Sequence, residues 1–396
     1  MNNNKSALKS LRRRWFLTAV IWASVLLLTY QQLQQVWPFA TRWAVVASVV
    51  LAYNLWVVWT GLPDNHRKGE SALLPTFGWG NTVTLIRGLA LGLFAGFLGS
   101  PWPLGALGWL PALFYSFVTI VDRFDGTLAR LTNQTTELGS KLDLEFDSLG
   151  VLLVIGVAVW YGQLPWWFLP FGLTPYLFIF GLWWRKRQGL PIYELPPSTH
   201  RRVIAGFHVN ALIFPLWPIL PADAVTLIQL VYAIPVTLGF WRDWLVMSGY
   251  FDPDSASYRK KQRRVFTLTT KWLPPVLRLL LIITIVMIYR TIPNPLQPTE
   301  WVDLLTSWHF IFPDLIATLI IVITVFATLT TVLGIVGRLS SLLLLVPLGF
   351  HIVTQGLQWT NGLALTSVLS LMFLGTGYFS LWQITETIFI RQINDE

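Results

Sequence analysis

Twelve nearly uncharged apolar stretches, each about 20 residues long, run through the 396-residue chain. A hydrocarbon core about 30 Å thick is crossed by a helix of that length. Inside lipid, the backbone has to satisfy its own hydrogen bonds, and a helix does so within one segment. The stretches fall near 15–33, 43–62, 81–98, 105–121, 148–162, 166–184, 203–220, 222–240, 272–291, 310–335, 339–356 and 362–383. They predict an all-α, polytopic integral membrane protein of about twelve transmembrane helices. The first stretch follows Arg12, Arg13 and Arg14 and lacks a small-residue cleavage site, so it reads as a retained anchor. Composition agrees: 54% of residues are hydrophobic and 12% charged, about half the charged share of a soluble domain. A soluble globule and a disordered chain are excluded. The absence of cysteine excludes a disulfide framework, a thiolate metal site and a thiol nucleophile. Tryptophans at 166, 167, 183 and 184 flank one span, as interfacial belts do.

Charge fixes the orientation. With the N-terminus inside, alternate loops collect Lys5, Lys9, Arg67, Lys68, Lys141, Arg185, Lys186, Arg187, Arg242, the run from Arg259 to Lys271, and Arg338. The outside loops hold Arg42 and Arg290. The positive-inside rule then places both termini in the cytoplasm. It also accounts for a net charge of +9 without nucleic acid as a partner. The longest inside connection, 241–271, carries an acidic stretch and then a basic cluster, and reads as a boundary between two membrane modules. The cluster suits either anionic lipid headgroups or a solvated loop. A cut within 249–265 is expected to leave a competent first module.

Four of the chain's twelve aspartates, Asp122, Asp125, Asp143 and Asp147, fall within 26 residues at the inside ends of two spans. Carboxylates at membrane depth are costly and mark functional sites. Asp122 and Asp125 share a helix face with Gly126 and Ala129, and Gly139, Asp143 and Asp147 recur at every fourth residue on the next helix. Arg130 lies within reach of a phosphate. An all-oxygen donor set selects a hard cation, Mg²⁺ or Mn²⁺. Pairing of the aspartates with Arg123, Arg130 and Lys141 in a solvated loop is the competing explanation, and it does not account for the small residues on the same stripes.

The pattern Asp122-x-x-Asp125-Gly126-x-x-Ala129-Arg130, eight residues, Gly139-x-x-x-Asp143-x-x-x-Asp147 resembles the signature of the CDP-alcohol phosphotransferase family at every fixed position. Asn81, Thr84 and Arg87 resemble a second element of that family, with Gly80 where a proline is frequent. The resemblance covers about 65–248 and implies a six-helix core, spans three to eight, with its site on the cytoplasmic side. It implies that Asp122, Asp125 and Asp143 are metal ligands, and that Asp147 is a metal neighbour and the base that takes the acceptor's proton. Gly126, Ala129 and Gly139 are expected near the cytidine, and Arg130 at the pyrophosphate. Asn81, Thr84 and Arg87 are grouped with the donor site, although Arg87 also suits snorkelling to the inside surface. The family implies dimers. Ser198, Arg201 and Arg202 loosely resemble the element by which phosphatidylglycerophosphate synthases take a phosphorylated acceptor; positive-inside charge explains the two arginines equally well.

The expected organisation is two N-terminal spans (1–64), the transferase core (65–248), a cytoplasmic basic linker (249–271) and a four-span module (272–396). That module loosely resembles DoxX-like membrane proteins, and its Gly334, Gly337, Gly375 and Gly377 suit close helix packing, for docking or scaffolding. The resemblance implies a multi-pass enzyme of the bacterial inner membrane. It would move a phosphatidyl group from CDP-diacylglycerol, or another CDP-alcohol, to a water-soluble acceptor alcohol that is free or phosphorylated. The alternative is a cation-binding transporter or scaffold without catalysis.

Overall fold

The structure, a computed structural model, describes residues 2–131, 135–196, 199–292 and 298–382, with the side chains of 2, 3, 125–131, 199–202 and 291 outside the described set. The described residues form fourteen α-helices and no strand. In chain order they are α1 (Asn2–Leu33), α2 (Ala40–Gly61), α3 (Gly78–Ala95), α4 (Leu110–Leu131), α5 (Glu137–Trp160), α6 (Leu169–Arg187) and α7 (Thr199–Ala211). Then follow α8 (Ala222–Met247), α9 (Ala256–Thr267), α10 (Leu273–Thr291), α11 (Thr299–Ser307), α12 (Pro313–Leu333), α13 (Gly337–Gln355) and α14 (Trp359–Leu374). A helix lies on each of the twelve expected spans. Eight helical segments are long and apolar enough to cross a membrane: α1, α2, α4, α6, α8, α12, α13 and the continuous stretch of α9 and α10. Of the other expected spans, α3 and α5 carry polar residues of the candidate site, and α7 and α14 are shorter. The all-α polytopic membrane architecture is as expected; α9 and α11 are additional helices.

The chain divides into two compact units, 1–176 with 212–218, and 177–211 with 219–396. The sequence boundary at 249–271 lies inside the second unit. In the first unit, α3 is the central helix. Its Gly88, Gly92 and Gly96 repeat every fourth residue and face neighbouring helices. A Cβ at Gly96 would stand 2.7 Å from the Trp43 carbonyl oxygen of α2, one at Gly92 would meet Leu51, and one at Gly88 would lie 2.8 Å from the Phe146 ring of α5. Such small-residue stripes let helix backbones approach closely, which is how apolar helices associate in lipid. Asn54 of α2, fully buried, donates to the Gly88 carbonyl at 2.8 Å. The N-terminal end of α1 holds the segment 62–77: Ser10 donates to the Pro75 carbonyl, and Asn4 bonds the backbone of Ser71 and Leu73.

In the second unit, α8 packs on α7 and α14. Gln229 donates to the Ala211 carbonyl at 2.7 Å, Phe207 stacks on Tyr232, and Tyr232 reaches the Leu369 carbonyl. Leu281, Ala327, Leu344, Ala364 and Val368 form the core between α10, α12, α13 and α14. Buried Arg278 gathers backbone carbonyls, donating to Val332 at 3.0 Å, to Phe379 at 3.4 Å and to Tyr378. Three glycines of this module, Gly334, Gly337 and Gly377, lie against its own residues. Gly334 takes φ +68, a Cβ at Gly337 would strike Thr376, and Gly377 (φ +66) lies against the Lys271 carbonyl.

Candidate functional site

Three hydrogen-bonding residues set the register of α3 against α5. Asn81, on the first turn of α3, donates to Asn65 and to Thr136, each at 3.0 Å. Asn65 in turn donates to the carbonyls of Leu74 and Thr76. Thr136 caps α5, its hydroxyl accepting from the Gly139 N–H at 3.0 Å; such a cap satisfies one of the helix's unpaired N–H groups. All three are buried. From this shared origin, six residues along α3 reach Arg87, roughly 9 Å away, and seven along α5 reach Asp143, roughly 10 Å away. The two side chains therefore meet. Gly139 is explained by the same junction, because a Cβ there would lie 2.5 Å from the Asn81 side-chain oxygen.

At that level Asp122 of α4 and Asp143 and Asp147 of α5 converge, with one oxygen of each within 4.8 Å of the others. The guanidinium of Arg87 lies among them. It pairs with Asp122, with Asp143 at 3.0 Å and with Asp147 at 3.4 Å, and also donates to the Asp143 carbonyl. Arg87 is 1% exposed, whereas the carboxylates are 38%, 52% and 56% exposed in that order. The cluster thus has a buried cationic floor and an open carboxylate mouth. Three like charges this close repel one another unless cations offset them. Arg87 supplies one positive charge, and the donor set of carboxylate oxygens fits a hard divalent cation.

The structure brings together Asp122, Asp143, Asp147 and Arg87. Arg87 of the preceding helix meets all three carboxylates, whereas Lys141 pairs with Asp64 at 2.8 Å. Thr84 is buried and donates to the Gly80 carbonyl. Asp125, Gly126, Ala129 and Arg130 lie on α4, and Arg201 and Arg202 on α7 of the second unit; their side chains, and Ser198 altogether, are outside the described residues. Sequence reasoning missed two features. The first is the Asn65–Asn81–Thr136 junction. The second is Glu145, between Asp143 and Asp147 but turned away, accepting from Tyr53 at 2.6 Å and Tyr176 at 3.2 Å. Nothing in the periodicity of the chain marks Asn65, which lies in an aperiodic connection.

Residues 78–241 match the CDP-alcohol phosphatidyltransferase family. This stretch of the chain is a CDP-alcohol phosphatidyltransferase domain. The transferase domain includes Asn81, Arg87, the four motif aspartates and α3 to most of α8. Over 143 residues the chain is 32% identical to proteins of Mycobacterium bovis and Mycobacterium tuberculosis, each named "Putative cardiolipin synthase". The alignment covers 35% of this chain and 66% of each relative, so the chain spans just under two thirds of the length of the curated relatives it matches. No solved structure matches the chain.

Proposed function

We propose that the protein is a phospholipid-synthesising transferase that moves a phosphatidyl group from CDP-diacylglycerol to the hydroxyl of a second alcohol, with release of CMP. The observation that carries this reading is the convergence of Asp122, Asp143 and Asp147 around Arg87 within the transferase domain. Mg²⁺ or Mn²⁺ would be held by these carboxylates, with Asp125 as a further ligand. When bound, the cation supplies positive charge to the donor's diphosphate and to the departing CMP. Arg87 is a positioning residue: its planar fork spans the carboxylates from below and keeps their outer oxygens directed to the mouth. Asp147 is the general base, removing the proton of the acceptor hydroxyl as its oxygen attacks the phosphorus nearest the diacylglycerol. Its exposure and its longer distance to Arg87 support that role. Gly126, Ala129 and Gly139 are proposed beside the cytidine, Arg130 at the diphosphate, and Ser198, Arg201 and Arg202 at the acceptor. The site and both termini are proposed to face the cytoplasm of a bacterial inner membrane, and the protein to form a homodimer.

The acceptor is proposed to be a water-soluble alcohol, free or phosphorylated. The name of the relatives favours a second reading: cardiolipin is two phosphatidyl groups on one glycerol, which makes phosphatidylglycerol a candidate acceptor. The test is CMP release by the purified protein from CDP-diacylglycerol and Mg²⁺, with glycerol 3-phosphate, inositol phosphate, serine and phosphatidylglycerol supplied in turn. One acceptor is expected to raise CMP release well above the no-acceptor rate, and excess EDTA to abolish it. Undiminished release in EDTA would overturn the metal assignment. No CMP release with any acceptor, from CDP-diacylglycerol or from another CDP-alcohol supplied in its place, would favour the cation-binding transporter or scaffold.

A further inference from the structure

The helix α9 lies outside the transferase domain and has no buried residue. A 12-residue helix held by so little packing is marginal in water. Its start is clamped: Ser255 caps it, Arg259 bonds the Asp254 carbonyl and Arg242 bonds Tyr258. Beyond that clamp, Lys260, Arg263 and Arg264 are exposed and have no hydrogen-bonding or ion-pair partner among the described residues. The helix runs on through one π-turn, Leu268–Trp272, into α10, so that 256–290 is a single helical stretch whose apolar part can span the bilayer. Lys260, Arg264, Leu268 and Trp272 follow one another at four-residue intervals, with Arg263 and Thr267 alongside. These residues line an open groove of about 870 Å³. Its stripe therefore changes along the helix from cation to exposed leucine (60%) to exposed tryptophan (53%) at the start of the span.

We infer that this groove binds an anionic glycerophospholipid, with the headgroup phosphate on Lys260, Arg263 and Arg264 and the glycerol and upper acyl chain along Leu268 and Trp272. Charge complementarity identifies the phosphate, and the apolar end identifies a lipid as its source. A soluble phosphate leaves Leu268 and Trp272 uncovered. The continuity with α10 sets this stripe at the bilayer surface, where anionic headgroups attract basic segments.

The full-length protein in mild detergent is offered phosphatidylglycerol and phosphatidylcholine of matched acyl chains, and retained lipid is counted by native mass spectrometry. Preferential retention of phosphatidylglycerol is expected. The variant Lys260→Gln with Arg263→Gln and Arg264→Gln is expected to weaken it roughly a hundredfold, about a factor of five for each cation. The variant Lys5→Gln with Lys9→Gln and Arg13→Gln is expected to retain it. If the triple groove variant fails to fold by circular dichroism, Arg264→Gln alone serves, with a roughly fivefold loss expected. Equal retention of phosphatidylcholine, or undiminished retention by the groove variants, overturns the inference. Displacement of the lipid by millimolar inorganic phosphate overturns the lipid as occupant. None of these readouts uses CMP release, and phosphatidylglycerol held as an acceptor at the aspartate cluster would still be retained by the groove variants, which separates the two sites.

Discussion

Removing Arg87 and removing one of its aspartates perturb the cluster in opposite directions. Without the guanidinium, three carboxylates whose oxygens lie within 4.8 Å of one another keep their repulsion and lose their internal counter-charge. Breaking a fully buried pair costs about 3–5 kcal/mol, and the partial exposure of these carboxylates lowers the expectation to about 2 kcal/mol. Arg87→Ala is therefore expected to melt at a lower temperature in EDTA, and to regain more of its stability on adding Mg²⁺ than the wild type gains. Thermal unfolding in detergent measures both shifts, and equal gains would contradict the account. Asp147→Asn is expected to lose turnover while still binding Mg²⁺ and donor, whereas Asp122→Asn is expected to weaken Mg²⁺ binding. Calorimetric titration of the two variants separates the roles; if both lose the cation equally, Asp147 is chiefly a ligand. Gly139→Ala is expected to push Asn81 out of its bonds to Asn65 and Thr136, at a cost of about 1–3 kcal/mol, because the new methyl would stand 2.5 Å from the Asn81 oxygen. Unfolding of Gly139→Ala beside Asn81→Ala tests this, and non-additive losses are expected because the two share one junction.

Among the elements, α3 shows what was legible in the sequence and what was not. Its place as a helix, and the choice of Asn81, Thr84 and Arg87, follow from hydropathy and a motif. The recurrence of Gly88, Gly92 and Gly96 is equally visible in the chain, yet its meaning depends on which helices it faces, and Trp43 and Leu51 reach it from an earlier span. The aspartates of α4 and α5 could be matched because they lie within 26 residues of one another in the sequence. Arg87 could not be assigned to them from spacing, since it lies 35 residues before Asp122 and the register comes from Asn65, a residue of a connection without periodicity. Small apolar faces in membrane proteins obey steric rules that a glycine substitution tests directly. Gly96→Val is expected to lower thermal stability by about 1–3 kcal/mol, because its Cβ would meet the backbone oxygen of Trp43 as well as the ring. Gly349→Val in α13, where a Cβ would have nothing within 4 Å, is expected to change stability by less than about 0.5 kcal/mol. Equal losses in the two variants would remove the steric explanation.

At the scale of the whole molecule, hydropathy and charge divided the chain at a polar linker, whereas packing in the second unit joins residues on both sides of it. Tyr232 and Phe207 of the transferase domain meet α14 at Leu369 and Phe373. This reverses the expectation for a cut within 249–265. The fragment 1–255 is expected to accumulate poorly and release little CMP, and co-expression of 249–396 as a separate chain is expected to restore both. Full activity of 1–255 alone would make α10 to α14 dispensable for the reaction. The same unit imposes an order on biosynthesis. Arg278 draws its carbonyl partners from 54, 100 and 101 residues further along the chain. As α10 leaves the ribosome, those partners have not been translated, and the guanidinium must wait near the bilayer edge with water or lipid phosphate around it. Only when residues 378 and 379 emerge can it be withdrawn into the interior, so a nascent chain stopped short of them would display an arginine that the finished protein conceals.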